Sequence, residues 1–250
     1  SNNLGQLYER GGLYDKAEPI IKATLIQMET SLGADHPDTV RVRNNLALLY
    51  ESQGNFREAE PLYQKSLDMM TSRLGINHTD TIAVKNNLAY LYMIMEQFDK
   101  SAMMFDEVKS QWAVLFGAEH INTLKATNNL GRILQKLGRL SEAEQEILAA
   151  LAARQSTLGE KHIDSIRSMI DLGGVYLEQK RLPEAETQLI AALSFAETEL
   201  GNLHPYTFEA LNYLAQTILA SGQTQAAVDL MEIGFKRRSQ FFDTMLWTTG

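Results

Sequence analysis

The 250-residue chain contains no cysteine, which removes disulfides, thiolate catalysis and cysteine-ligated zinc. It also lacks positive charge in excess: 23 lysines and arginines against 31 acidic residues leave a net charge of -8. No overall field therefore draws the chain to nucleic acid or to an anionic membrane surface. No apolar run approaches the roughly 18 residues of a membrane span, and no basic stretch followed by an apolar one opens the chain. These absences point to a cytoplasmic protein that needs no metal or cofactor. What is plentiful is apolar content, 44%, enough for an extensive core.

That content is periodic. The segments LGADHPDT, LGINHTDT, FGAEHINT, LGEKHIDS and LGNLHPYT begin at 32, 74, 116, 158 and 200, a step of 42 residues with no insertion. A fixed step is what a stack of units requires, because a unit that cannot bury its own apolar face must meet an identical neighbour at a constant offset. Within a unit, apolar residues recur at helical spacing in two blocks, such as Val42, Leu46, Leu49 and Tyr50, then Phe56, Ala59, Leu62, Tyr63 and Leu67. A turn at Gly54 separates the blocks, so each unit reads as a helical hairpin. Pro37 and Pro205 suit first helical positions, and glycines at 33, 75, 117, 159 and 201 suit helix ends.

The pattern L-[GA]-x2-Y followed by A-x3-[FY] resembles the tetratricopeptide repeat. Its first half stands at Leu4, Leu46, Leu88, Leu130, Leu172 and Leu214, and its second begins at Ala17, Ala59, Ser101, Ala143, Ala185 and Ala227. The step exceeds the usual period of about 34, and Arg43, Lys85, Thr127, Met169 and Leu211 replace the expected tryptophan. The longer step, the histidine loop and the repeated N-N-L-A resemble the kinesin-light-chain type. The resemblance implies an all-α, right-handed superhelical solenoid of helix-turn-helix repeats, with first helices lining a concave groove. One repeat domain over residues 1–250 is expected, in units of about 1–33, 34–75, 76–117, 118–159, 160–201 and 202–242 with an extension at 243–250. The opening inside a first helix and the apolar FFDTMLW make the chain read as an excerpt of a longer one.

Candidate sites follow from position on the helices. His36, His78, His120, His162 and His204 occupy one repeat position. Equivalent residues of adjacent repeats lie at least ~8–10 Å apart, whereas two ligands of one zinc lie within ~4 Å, so the column is expected to organise helix starts. Tyr8, Tyr50, Tyr92 and Tyr176 fall on the apolar stripe and are expected in the core. Met69, Met70, Met93, Met95, Met103 and Met104 are expected there too, filling gaps.

The doubled asparagines are harder to place. On a 100° wheel Asn44 lies about 120° to one side of the stripe and Asn45 about 140° to the other, so neither belongs to the core. Asn2, Asn44, Asn86, Asn128 and Asn212 then form a column interrupted by Ile170. Asparagine costs a few tenths of a kcal/mol against alanine inside a helix, so something should offset it. One reading is a carboxamide ladder that bonds the backbone of an extended peptide. The other is that the amides bond neighbouring helices or solvent, or persist from duplication. Arg41, Lys125, Arg132, Lys136 and Arg167 share that face with Glu51, Glu178 and Glu209, and the cations would favour an acidic peptide or a C-terminal carboxylate. The kinesin-light-chain resemblance points to acidic peptides too. The function expected is thus a non-enzymatic scaffold for a protein or peptide partner. The alternative is a regulatory arm clamping another domain of the same chain, as where such repeats accompany caspase-like CHAT peptidases or nucleotide-switch domains.

Overall fold

The computed structural model describes residues 13–248, with side chains to residue 239. The asparagine and leucine at the chain start, Tyr8 and the FFDTMLWTTG stretch therefore lie outside the described side chains. The helices are α1 (Tyr14–Leu32), α2 (Pro37–Ser52), α3 (Phe56–Leu74), α4 (Thr79–Ile94), α5 (Phe98–Phe116), α6 (Ile121–Lys136), α7 (Leu140–Leu158), α8 (Ile163–Glu178), α9 (Leu182–Glu199), α10 (Pro205–Ala220) and α11 (Thr224–Thr248). Even-numbered members up to α10 are the first helices of their repeats. They pack in two compact units, residues 1–115 and 116–250.

Each first helix starts at a histidine. The imidazole Nδ1 accepts the backbone N–H two residues on, at 3.2 Å from Asp38 and Asp80, 3.3 Å from Asn122, and 3.1 Å from Asp164 and Tyr206. The ring thus does what a serine or aspartate cap does, satisfying one of the four unpaired donors of a helix start, and must carry its proton on Nε2. Hairpin turns need a left-handed residue, which is Gly54, Gly138 or Gly222 in three repeats but Glu96 (φ 57°) and Lys180 (φ 61°) in two.

The core sits between the paired helices. Val42, Leu46 and Leu49 of α2 bury against Ala17, Ile21 and Leu25 of α1, and Tyr63, Leu67 and Met70 of α3 bury against Val84, Leu88 and Leu91 of α4. In residues 116–250 the small position of the motif is Gly131, Gly173 or Ala215, and at the two glycines a Cβ would come within 2.5 Å of Ile147 or Leu189. Arg43, at the tryptophan position, is 1% exposed; its guanidinium donates to Glu29 at 2.7 Å and to the Ala34 carbonyl at 3.0 Å.

Two expectations are corrected by the packing. Tyr50 and Tyr176 are half-buried rather than fully in the core, and the Tyr50 hydroxyl donates to Glu18 at 3.5 Å, as Tyr92 does to Glu60 at 3.1 Å. Burial and that glutamate push the Tyr92 hydroxyl up to about 12. Met70 is buried, but Met103 is 69% exposed, because it lies on the face of α5 turned from the neighbouring helices.

Candidate functional site: the first-helix face

In residues 1–115, α2 and α4 flank a cavity of about 550 Å³. Met28 and Met70 form its floor with Val42 and Val84, and Asn44, Asn45 and Asn87 line its amide wall. Asn87 donates to the Asn44 Oδ1 across adjacent repeats at 3.4 Å, a long bond. Arg41 is two-thirds exposed and bonded to Asp38 one turn earlier, so its charge is already matched. Asp80 stands on the opposite rim without a cation partner among the described residues. Asn86 is half-buried.

In residues 116–250 the equivalent site is 84 residues further on, and it is full. Asn128 is only 3% exposed, which corrects the expectation that this column stays out of the core. Its Nδ2 donates to Asp171 at 2.7 Å, while its Oδ1 accepts from Ser168 at 2.6 Å and from Arg154 at 3.2 Å. Arg154 rises from α7 and also donates to the Asp164 carbonyl at 3.0 Å and the Leu124 carbonyl at 3.3 Å. Burial pulls its pKa down while the Asp164 and Asp171 carboxylates oppose that. The physical reason is local replacement: Arg154 stands where Met70 stands, Ser168 where Val84 does, and Asp171 where Asn87 does.

The cations of this face are mostly engaged. Arg167 donates to Asp171 at 3.1 Å and to Glu209 at 2.9 Å, and Arg132 lies 3.5 Å from Asp171. Burial works against the Arg167 charge, but the two carboxylates outweigh it and raise its pKa. Burial raises the Glu209 pKa despite Arg167. Glu178 accepts from Gln135 at 2.8 Å. Lys125 and Lys136 are exposed, and Lys125 has no carboxylate partner among the described residues. The structure thus brings Arg41 and Asn44 together at one cavity, and Asn128, Arg132 and Arg167 together around Asp171. Asn212 is exposed and Ile170 buried.

Sequence reasoning missed Asp80, Asn87, Arg154, Ser168 and Asp171. Arg154 carried a signal, since its repeat equivalents Met28, Met70, Trp112 and Ala196 are uncharged and only Arg238 shares its charge. Among the described residues no three histidine, aspartate or glutamate side chains gather as a metal-ligand set, and no helix is long and apolar enough to cross a membrane.

The tetratricopeptide repeat model matches residues 1–72, 80–156, 124–198 and 172–232. The chain belongs to the tetratricopeptide repeat family. No curated protein matches it. Among solved structures, a Podosopora anserina protein described as a kinesin light chain with nearly identical TPR-like repeats is 24% identical, with a TM-score of 0.68 over 82% of this chain and 97% of that one. BtubC (BKLC) from P. vanneervenii is 21% identical, with a TM-score of 0.73 over 91% of each chain. The apo quorum sensor NprR from B. thuringiensis is 12% identical, with a TM-score of 0.72 over 96% of this chain and 65% of that one. These likenesses establish the fold, an all-α tetratricopeptide solenoid.

Proposed function

We propose that the protein is a non-enzymatic scaffold that holds an extended peptide against its first helices. The observation that carries this reading is the open cavity walled by Asn44, Asn45 and Asn87, where amides meet an apolar floor. Carboxamides can donate to and accept from a peptide backbone whatever its side chains are. On the first-helix face of residues 116–250, Lys125 and Lys136, with Arg132 and Arg167 behind them, would favour acidic peptides. Panning a randomised dodecapeptide display library on the purified protein tests this. Acidic peptides should be enriched, and Asn44→Ala with Asn87→Ala should weaken them about ten- to a hundredfold, two hydrogen bonds at ~1 kcal/mol each. Lys125→Glu with Lys136→Glu should remove the acidic bias. Enrichment indifferent to all four substitutions would contradict the reading.

A second reading, a regulatory arm clamping a further domain, has one observation in its favour. Met231 and Phe235 of α11 are 44% and 74% exposed, whereas their repeat equivalents Tyr63 and Leu67 are buried. They border a cavity of about 480 Å³ with Phe208, Leu211 and Leu230. Such an apolar face suits a docking partner, and NprR, a quorum sensor by its description, shares the fold.

A further inference from the structure

We infer that the cavity between α2 and α4 is an arginine-binding subsite, taking an arginine side chain of a partner peptide. The inference rests on the peptide-scaffold reading and adds to it the residue that this pocket selects.

The molecule supplies its own template. At the equivalent place in residues 116–250, the guanidinium of Arg154 fills the space and is held by the Ser168 Oγ at 2.6 Å, the Asn128 Oδ1, the Asp164 carbonyl and the Leu124 carbonyl. Two of those positions line the first unit's cavity with an acceptor, Asn44 and Asp80, while Val84 replaces Ser168. The arginine does not persist: Met70 stands in its place and leaves a cavity of about 550 Å³. The cavity therefore keeps two of the acceptor positions without the guanidinium.

Charge and polarity agree. With Arg41 bonded to Asp38, the unmatched carboxylate of Asp80 leaves the rim with one net negative charge. In the second unit the corresponding positions are Asn122, Lys125 and Asp164, joined by Arg154, Arg167 and Asp171, and the balance is one net positive charge. The start of α4 contributes only about half a positive charge, too little to cancel Asp80. The floor of Met28, Val42, Met70 and Val84 is apolar and suits an aliphatic stem, while the planar fork suits acceptors set on two helices. A glutamate would have to take Arg41 from Asp38 and face Asp80; a norleucine would fill the floor and leave the rim unmatched.

The test is an NMR titration of the isotope-labelled chain with N-acetyl-arginine methylamide, and with the norleucine and glutamate analogues. The arginine compound should shift backbone amides of Asp80 to Asn87 and bind about three- to tenfold more tightly than norleucine, with glutamate weakest. Asp80→Asn should erase the advantage of arginine over norleucine, and Ala83→Arg, which copies Arg167 at an exposed position, should reverse it. Norleucine binding equal to arginine would overturn the arginine assignment and leave the scaffold reading standing. A preference for arginine unchanged in both Asp80→Asn and Ala83→Arg would arise outside this cavity and overturn the assignment too. If none of the three compounds perturbs the cavity, the subsite does not exist, and peptides enriched by panning would have to be held elsewhere on the face.

Discussion

Asn44 and Asn128 occupy the same repeat position, yet one borders an open cavity and the other is sealed in a network of hydrogen bonds. The helix wheel puts both on one face, and the 42-residue register gives both the same neighbours by position. What differs is the identity of three of those neighbours. Met70, Val84 and Asn87 give an apolar-floored space; Arg154, Ser168 and Asp171 fill the same space with mutually satisfied polar groups. A repeat position therefore fixes where a side chain stands, while its job is set by residues one helix and one repeat away.

A smaller contrast runs the same way in the loops. Thr123, Ser165 and Thr207 donate to the glycine carbonyl six residues earlier, at 2.9, 2.7 and 2.7 Å. Their equivalents Thr39 and Thr81 are buried with unpartnered hydroxyls. The first unit is thus less fully bonded at two sites the second unit has closed.

The contrast can be broken most severely at Arg154. Arg154→Ala should destabilise the protein by about 3 kcal/mol, since it removes the hydrogen bonds to Asn128, Ser168 and two backbone carbonyls and opens a hole; an equilibrium denaturant melt measures it. Gly173→Ala should cost about 1–2 kcal/mol in the same assay, because its Cβ meets Leu189 at 2.5 Å and overpacking outweighs the gain in helix propensity. Ala47, at the equivalent place in the first unit, shows that the same residue is accommodated there. Thr207→Val should cost about 1 kcal/mol while Thr81→Val is neutral or stabilising, because only the first removes a made hydrogen bond. The smallest effect is a gain common to both units: Glu96→Gly and Lys180→Gly should each add about 0.5–1 kcal/mol by relieving left-handed backbone. Thermal melts of the single and double variants check it.

The fold was legible because its signals are local. The histidine loop recurs at one spacing, each Nδ1 bonds an amide only two residues away, and the apolar periods lie within single helices. The candidate site was legible only as a face. Angular projection put Arg132 and Arg167 beside the asparagines, but their partners Asp171 and Glu209 come partly from the next repeat, Glu209 being 42 residues from Arg167. Asn128 was misplaced for the same reason, since the residues that bury it stand 26, 40 and 43 positions away. Such distances are invisible to a wheel, though aligning the repeats shows arginine at 154 and 238 in a register that is otherwise Met28, Met70, Trp112 and Ala196.

The most direct test is a pair of denaturant melts, Asn44→Ala and Asn128→Ala, each against the unmodified chain. Asn44→Ala should leave stability within about 0.5 kcal/mol, a long amide bond lost against helix propensity gained. Asn128→Ala should cost about 1–3 kcal/mol, because the buried Asp171, Ser168 and Arg154 each lose a partner. Equal losses at the two positions would contradict the account, showing that one repeat position does one job throughout the chain.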